Sequence, residues 1–153
     1  MVKQITPTEA YEMLKDDPEH TFIVDIRTRA EYIFIGHPSM AYNIPYLFWT
    51  PGKDEKSGYK GNFHFVDDFA KKFKKMDKIL VMCRSGNRSA PACKLLEEDG
   101  FENIFEVPDG FEGKKVNNKN SIYYGYRCVN GWKHDGLLWT YKIKEDLSYK
   151  DKQ

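Results

Sequence analysis

Apolar residues along this chain fall into two rhythms. Short runs rich in β-branched and aromatic residues, "TFIVDI" at 21–26, "KILVM" at 78–82 and "NIFEV" at 103–107, predict strands. The first run shows no alternation with polar residues, which predicts a strand buried on both faces of a parallel sheet. Between the runs, apolar residues recur at helical spacing. Thr6, Pro7 and Glu9 form a helix start of the capping-box type, followed by an inner stripe of Ala10, Tyr11 and Leu14. Thr28 and Glu31 repeat the capping pattern. Phe65, Phe69, Phe73 and Met76 predict a third helix, with Asp67 and Asp68 early and Lys71, Lys72, Lys74 and Lys75 late, an order that suits the helix dipole. Ser89, Ala92, Cys93 and Leu96 mark one face of a fourth helix that starts at Arg88 and stops at Gly100. Gly36 and Pro38 predict a turn, "AYNI" a short strand ending at Pro45, and "FWTPGKDEKSGYKGN" a polar surface loop. Alternating strands and helices predict an α/β fold with a mainly parallel central sheet.

The length of 153 residues suits one domain, 1–153. A net charge of +1 gives no reason to expect nucleic acid or a membrane surface as partner. The N-terminus has no apolar core long enough for a signal peptide, and no apolar run approaches membrane-spanning length. The expected location is cytoplasmic, with the periplasm open if a signal has been removed. Cys83, Cys93 and Cys128 contain no CxxC pair, and the four histidines lie at no metal-ligand spacing. Neither a disulfide framework, nor a metal, nor a cofactor is expected.

The chemistry concentrates in "MCRSGNRS". Cys83 ends an apolar run, Gly86 turns the chain, and a helix follows. Successive amides of such a turn, together with the helix N-terminus, form an anion cradle, and a cysteine at its centre is favoured as thiolate. The alternative is that Cys83 simply continues the buried strand, but the polar, basic "RSGNRS" buries badly around an inert thiol. Cys93 faces inward on the next helix and is expected to pack in the core, with a resolving-thiol role as the alternative.

"CRSGNRSA" resembles the active-site loop of the rhodanese domain, the sulfurtransferase fold. Three further segments resemble that family in order: "VDIRTRAEY", "GHPSMAYNIP" and "NGWKHDGLLW". Pro38 and Leu138 depart from the usual pattern. The resemblance implies a three-layer fold with helices on both faces of the sheet. It implies catalysis by Cys83, an active-site loop of Arg84, Ser85, Gly86, Asn87 and Arg88, and support from Ser89, Asp25, Arg27 and Glu31. By position, Arg84 is expected to point to solvent and meet substrate, and Arg88 to brace the loop against a carboxylate such as Glu31. His37 is expected at a turn or strand end. The link from Gly110 to Trp132 is longer than usual, so an inserted loop is expected at about 111–130. It carries Tyr123, Tyr124 and Tyr126, and is expected to pack over the core, or else to form a partner or dimer surface or a lid.

Dual-specificity phosphatases of the cell cycle and related arsenate reductases use a similar fold, with five residues between Cys and Arg. Here four separate Cys83 from Arg88, and position 89 is Ser. The shorter loop suits one added sulfur better than a phosphoryl group with three equatorial oxygens. The expected activity is therefore thiosulfate sulfurtransfer: sulfane sulfur passes from thiosulfate or a persulfide donor, through a Cys83 persulfide, to a thiol or cyanide. A protein acceptor or a homodimer is a further possibility. A phosphatase or arsenate reductase, and a non-catalytic binding module, are the alternatives.

Overall fold

The three apolar runs become the centre of a five-stranded parallel sheet, in the order Lys3–Gln4, Asn103–Val107, Lys78–Met82, Thr21–Asp25 and Tyr42–Asn43. The computed structural model describes residues 1–49 and 58–150. In chain order its elements are β1 (Lys3–Gln4), α1 (Pro7–Asp16), β2 (Thr21–Asp25), α2 (Arg29–Phe34), β3 (His37–Pro38), β4 (Tyr42–Asn43), β5 (Leu47–Trp49), β6 (Tyr59–Gly61), α3 (Phe65–Lys72), β7 (Lys78–Met82), α4 (Ser89–Glu98), β8 (Asn103–Val107) and β9 (Trp139–Thr140). Among the described residues no helix is long and apolar enough to cross a membrane.

Side chains of a strand alternate between the faces of its sheet, and β7 shows what this does. Ile79 and Val81 enter one core with Phe65 and Phe69 of α3 and Ala92, Cys93 and Leu96 of α4. Leu80 and Met82 enter the other, with Ala10 of α1 and Tyr32 of α2. Helices therefore cover both faces, as the resemblance implies. Cys83, one residue beyond the end of β7, keeps the alternation and falls in the α3/α4 core.

Both capping boxes form. The Thr6 hydroxyl accepts from the Glu9 amide at 3.1 Å, and the Thr28 hydroxyl from the Glu31 amide at 3.2 Å. In each case the glutamate carboxylate accepts from the threonine amide in return. Helix α3 is shorter than its periodicity predicts. Phe73 is already extended, though buried, and Met76 is exposed. The Asp77 carboxylate takes the Lys74 amide at 2.8 Å, and this side-chain turn redirects the chain into β7.

The stretch predicted as a polar loop instead contributes an antiparallel pair, β5 with β6. The tip of that stretch, residues 50–57, lies outside the described residues. The 111–130 excursion is buried only at its root, at Phe111 and Gly113. Beyond it, the chain holds itself by the bridges Lys115–Arg127 and Val116–Tyr124, and Tyr123, Tyr124 and Tyr126 stay exposed rather than packing on the core. The C-terminal segment returns along the outer edge of the sheet. The Asn43 amide of β4 donates to Leu147 O at 2.9 Å, and the Tyr149 hydroxyl donates to Asp68 of α3 at 3.1 Å.

Candidate active site

Parallel strands bring their C-terminal ends to one rim, and Cys83 stands on it between the ends of β2 and β8. The thiol is almost entirely enclosed. The Gly86 amide donates to Cys83 Sγ at 3.1 Å, closing the loop over the sulfur. That turn needs glycine. Gly86 has φ +106°, and a Cβ there would lie 2.7 Å from Pro108 O. Helix α4 begins immediately after Arg88, and among the described residues no side chain caps its N-terminus. Its first amides and partial positive charge are thus available beside the sulfur.

A second loop braces the first. The Phe111 amide donates to Cys83 O at 2.8 Å, while the Glu112 and Gly113 amides donate to Arg84 O at 3.0 and 3.1 Å. Gly110, at φ +69°, lets the two backbones touch, since a Cβ there would fall 2.4 Å from Arg84 C and O.

The predicted support residues separate into three groups. Arg88 makes a fork-to-fork ion pair with Glu31, Nη1–Oε1 at 2.6 Å and Nη2–Oε2 at 2.9 Å. Burial alone would push the Glu31 carboxyl up, but the hydrogen bonds and charge of Arg88, with the charge of Arg27, hold it below the ordinary carboxylate range. Burial likewise works against the Arg88 cation, and Glu31 reverses that, so the guanidinium is held charged above its ordinary value. Asp25 and Arg27 form a fully buried pair, with Nε–Oδ1 at 2.9 Å and Nη2–Oδ2 at 2.6 Å. Arg27 also donates to Gly36 O at 2.6 Å and stacks 4.4 Å from the Phe111 ring. It ties the end of β2 to the end of α2 and to the bracing loop. The Ser89 hydroxyl sits 2.7 Å from Glu106 Oε2 and 3.2 Å from Gly86 O. Glu106, nearly buried on β8, also accepts from Gln4 Nε2 at 3.1 Å. Sequence reasoning passed over Glu106, although a lone charge inside the run "NIFEV" was a visible signal.

Around the sulfur lies a cavity of about 160 Å³. Cys83, Arg84, Ser85, Asn87 and Arg88 line it, without Gly86 of the expected loop, and Leu47 and Tyr59 join them from the β5–β6 pair. Arg84 is half-buried rather than turned out to solvent, and its Nε has no hydrogen-bond partner among the described residues. Cys93 packs beside Cys83 in the α3/α4 core, where burial, with the charge of Glu106, pushes its thiol far up. Cys128 is exposed on the excursion. His37 is buried in β3, stacked 3.7 Å from the Tyr32 ring with its nitrogens facing Tyr32 O and Lys142 O. Among the described residues no three His, Cys, Asp or Glu side chains gather in a metal-binding group.

Comparison with known proteins points the same way. The profile of the Rhodanese-like domain matches residues 6–116. An uncharacterized protein of Rickettsia conorii is 33% identical over 143 residues, 92% of this chain and 98% of that protein. The thiosulfate sulfurtransferase GlpE of Haemophilus influenzae is 29% identical over 115 residues, 72% of this chain and 86% of the enzyme. The crystal structure of Rv0390 from M. tuberculosis aligns with a TM-score of 0.74 at 29% identity, covering 92% of this chain and 98% of that one.

Proposed function

Since the chain belongs to the rhodanese-like domain family, we propose that it is a sulfurtransferase working through a persulfide on Cys83, with thiosulfate or a persulfide as donor. The observation that carries the reading is the enclosed Cys83 sulfur, held by the Gly86 amide at the floor of a cavity of about 160 Å³.

The Cys83 thiolate attacks the outer sulfur of thiosulfate. A sulfur–sulfur bond forms to Cys83, the bond inside thiosulfate breaks, and sulfite leaves with its electron pair. The persulfide carries its charge on the outer sulfur, within reach of the loop amides and the start of α4. A thiol or cyanide then attacks that sulfur and restores the thiolate, so the kinetics are ping-pong. Arg84, lining the cavity, draws in the anionic donor. Arg88 serves as a positioning residue, since its guanidinium is engaged by Glu31. That engagement, with a loop one residue short of the phosphatase pattern, weighs against phosphoryl transfer.

Incubation with thiosulfate followed by intact mass measurement tests the reading. The expected result is a gain of one sulfur atom in the native chain and none in Cys83→Ser. An unchanged native mass, or a gain that survives the substitution, overturns it.

A further inference from the structure

The β5–β6 pair places an apolar face at the mouth of the Cys83 cavity, and an inorganic donor has no use for such a face. Register decides which residues form it. Leu47 pairs with Gly61, Phe48 with Lys60 and Trp49 with Tyr59. Directly opposed residues of an antiparallel pair share a face, and residues two apart on one strand share it too. Leu47, Trp49 and Tyr59 therefore stand on one face, and Leu47 and Tyr59 line the cavity. Gly61, opposite Leu47, adds no side chain. Phe48, on the other face, packs 5.9 Å from the Tyr149 ring and seats the arm on the C-terminal segment.

The base of the arm is fixed. The Tyr46 amide donates to Ile26 O at 3.0 Å, the Asn62 amide to Tyr46 O at 3.1 Å, and the buried Asn62 side chain to Pro45 O at 2.8 Å. The Tyr59 ring lies 6.0 Å from the Arg88 guanidinium, which orients it over the cavity. Yet Trp49 and Tyr59 remain more than half exposed. Arg84 lines the same cavity, and its buried Nε lacks a partner among the described residues. The cavity thus brings a guanidinium and an apolar wall together around the nucleophile.

Building on the sulfur-transfer reading, we infer that Leu47 and Tyr59 are specificity-determining residues that select a donor with an organic group on its leaving half, an aryl or alkyl thiosulfonate, over inorganic thiosulfate. The Cys83 thiolate takes the terminal sulfur of R–SO2–S⁻. The new bond joins the two sulfurs, the old sulfur–sulfur bond breaks, and R–SO2⁻ leaves with the electron pair. Total charge stays at two negatives throughout. The Arg84 guanidinium, which lines the cavity, attracts the sulfonyl oxygens, and the R group covers Leu47 and Tyr59, removing their apolar surface from water.

The experiment compares kcat/KM for benzenethiosulfonate and thiosulfate in the native chain, Tyr59→Ala, Tyr59→Phe and Leu47→Ala, with cyanide as common acceptor. The native chain favours benzenethiosulfonate. The ratio of the two kcat/KM values falls roughly tenfold in Tyr59→Ala and severalfold in Leu47→Ala, the scale expected for losing apolar contact with a substrate. Tyr59→Phe retains the native ratio within about twofold, because the ring carries the contact. A native preference for thiosulfate, or a ratio unmoved by both alanine variants, overturns the inference while leaving sulfur transfer standing. Failure of both donors to put a sulfur on Cys83, seen by intact mass, overturns the underlying reading and the inference together.

Discussion

Gly110 is the residue whose substitution reports most directly on the cysteine loop. A methyl group at that position meets Arg84 C and O at 2.4 Å, on backbone whose φ of +69° already disfavours a side chain. Neither partner is a flexible side-chain end, so both loops must shift. Gly110→Ala is expected to cost about 2–3 kcal/mol in urea unfolding and to slow persulfide formation on Cys83. Arg88 reports on geometry instead of space. Arg88→Lys keeps the charge but loses the two parallel hydrogen bonds to Glu31. It should lower stability by about 1–2 kcal/mol and lower kcat, with KM for the donor changed less, because in the proposed sulfur transfer Arg88 positions the loop and Arg84 meets the anion.

Elements transmit these effects because one carboxylate serves two structures. Glu31 closes the capping box of α2, accepting from the Thr28 amide and hydroxyl, and the same Oε1 receives Arg88. Thr28→Ala therefore costs about 1 kcal/mol as a lost cap and also loosens the grip on Arg88. In a double-mutant cycle, Thr28→Ala and Arg88→Lys should depart from additivity by at least about 0.5 kcal/mol. The capping boxes were legible in the sequence because their signal spans four residues, and "KILVM" and "NIFEV" became β7 and β8 at their predicted limits because β-branched and aromatic residues concentrate in both runs. Arg88 facing Glu31 was also foreseen, on resemblance and opposite charge. The β5–β6 pair was not, since its glycines and prolines read as loop and its pairing depends on contact with the cavity rim and Tyr149. The extra turn drawn for α3 failed for a local reason, the Asp77 side chain competing for the Lys74 amide. Gly110 and its contact with Arg84 depend on two loops meeting in space, and no local pattern encodes that.

Across the whole molecule, the lowered Glu31 pKa sets a pH dependence. Unfolding returns Glu31 to its ordinary value of 4.5, above its folded value. The unfolded chain then binds the proton more readily, so this contribution is complete above pH 4.5 and vanishes as pH falls through the folded value. In unfolding series from neutral pH to pH 3, the native chain should exceed Glu31→Gln at the upper end, with the gap narrowing only below pH 4.5. The C-terminal segment makes a second global contribution by covering the β4 edge through Leu147 O and by burying Tyr149 against Asp68. Deleting residues 142–153 should cost about 2–4 kcal/mol and, by baring a strand edge, should promote association measurable by light scattering.

The excursion leaves the body and rejoins it at a single point. The Lys114 amide donates to the Asn130 side chain at 2.9 Å, and Gly113 is pressed so close to Asn130 O that no Cβ fits there. The loop ends are thus joined at Gly113, Lys114 and Asn130 themselves, and lengthening such a loop costs little further closure entropy. For protein engineering this makes residues 115–129 a socket: a reporter domain with adjacent termini can be spliced in there and carried beside the Cys83 loop.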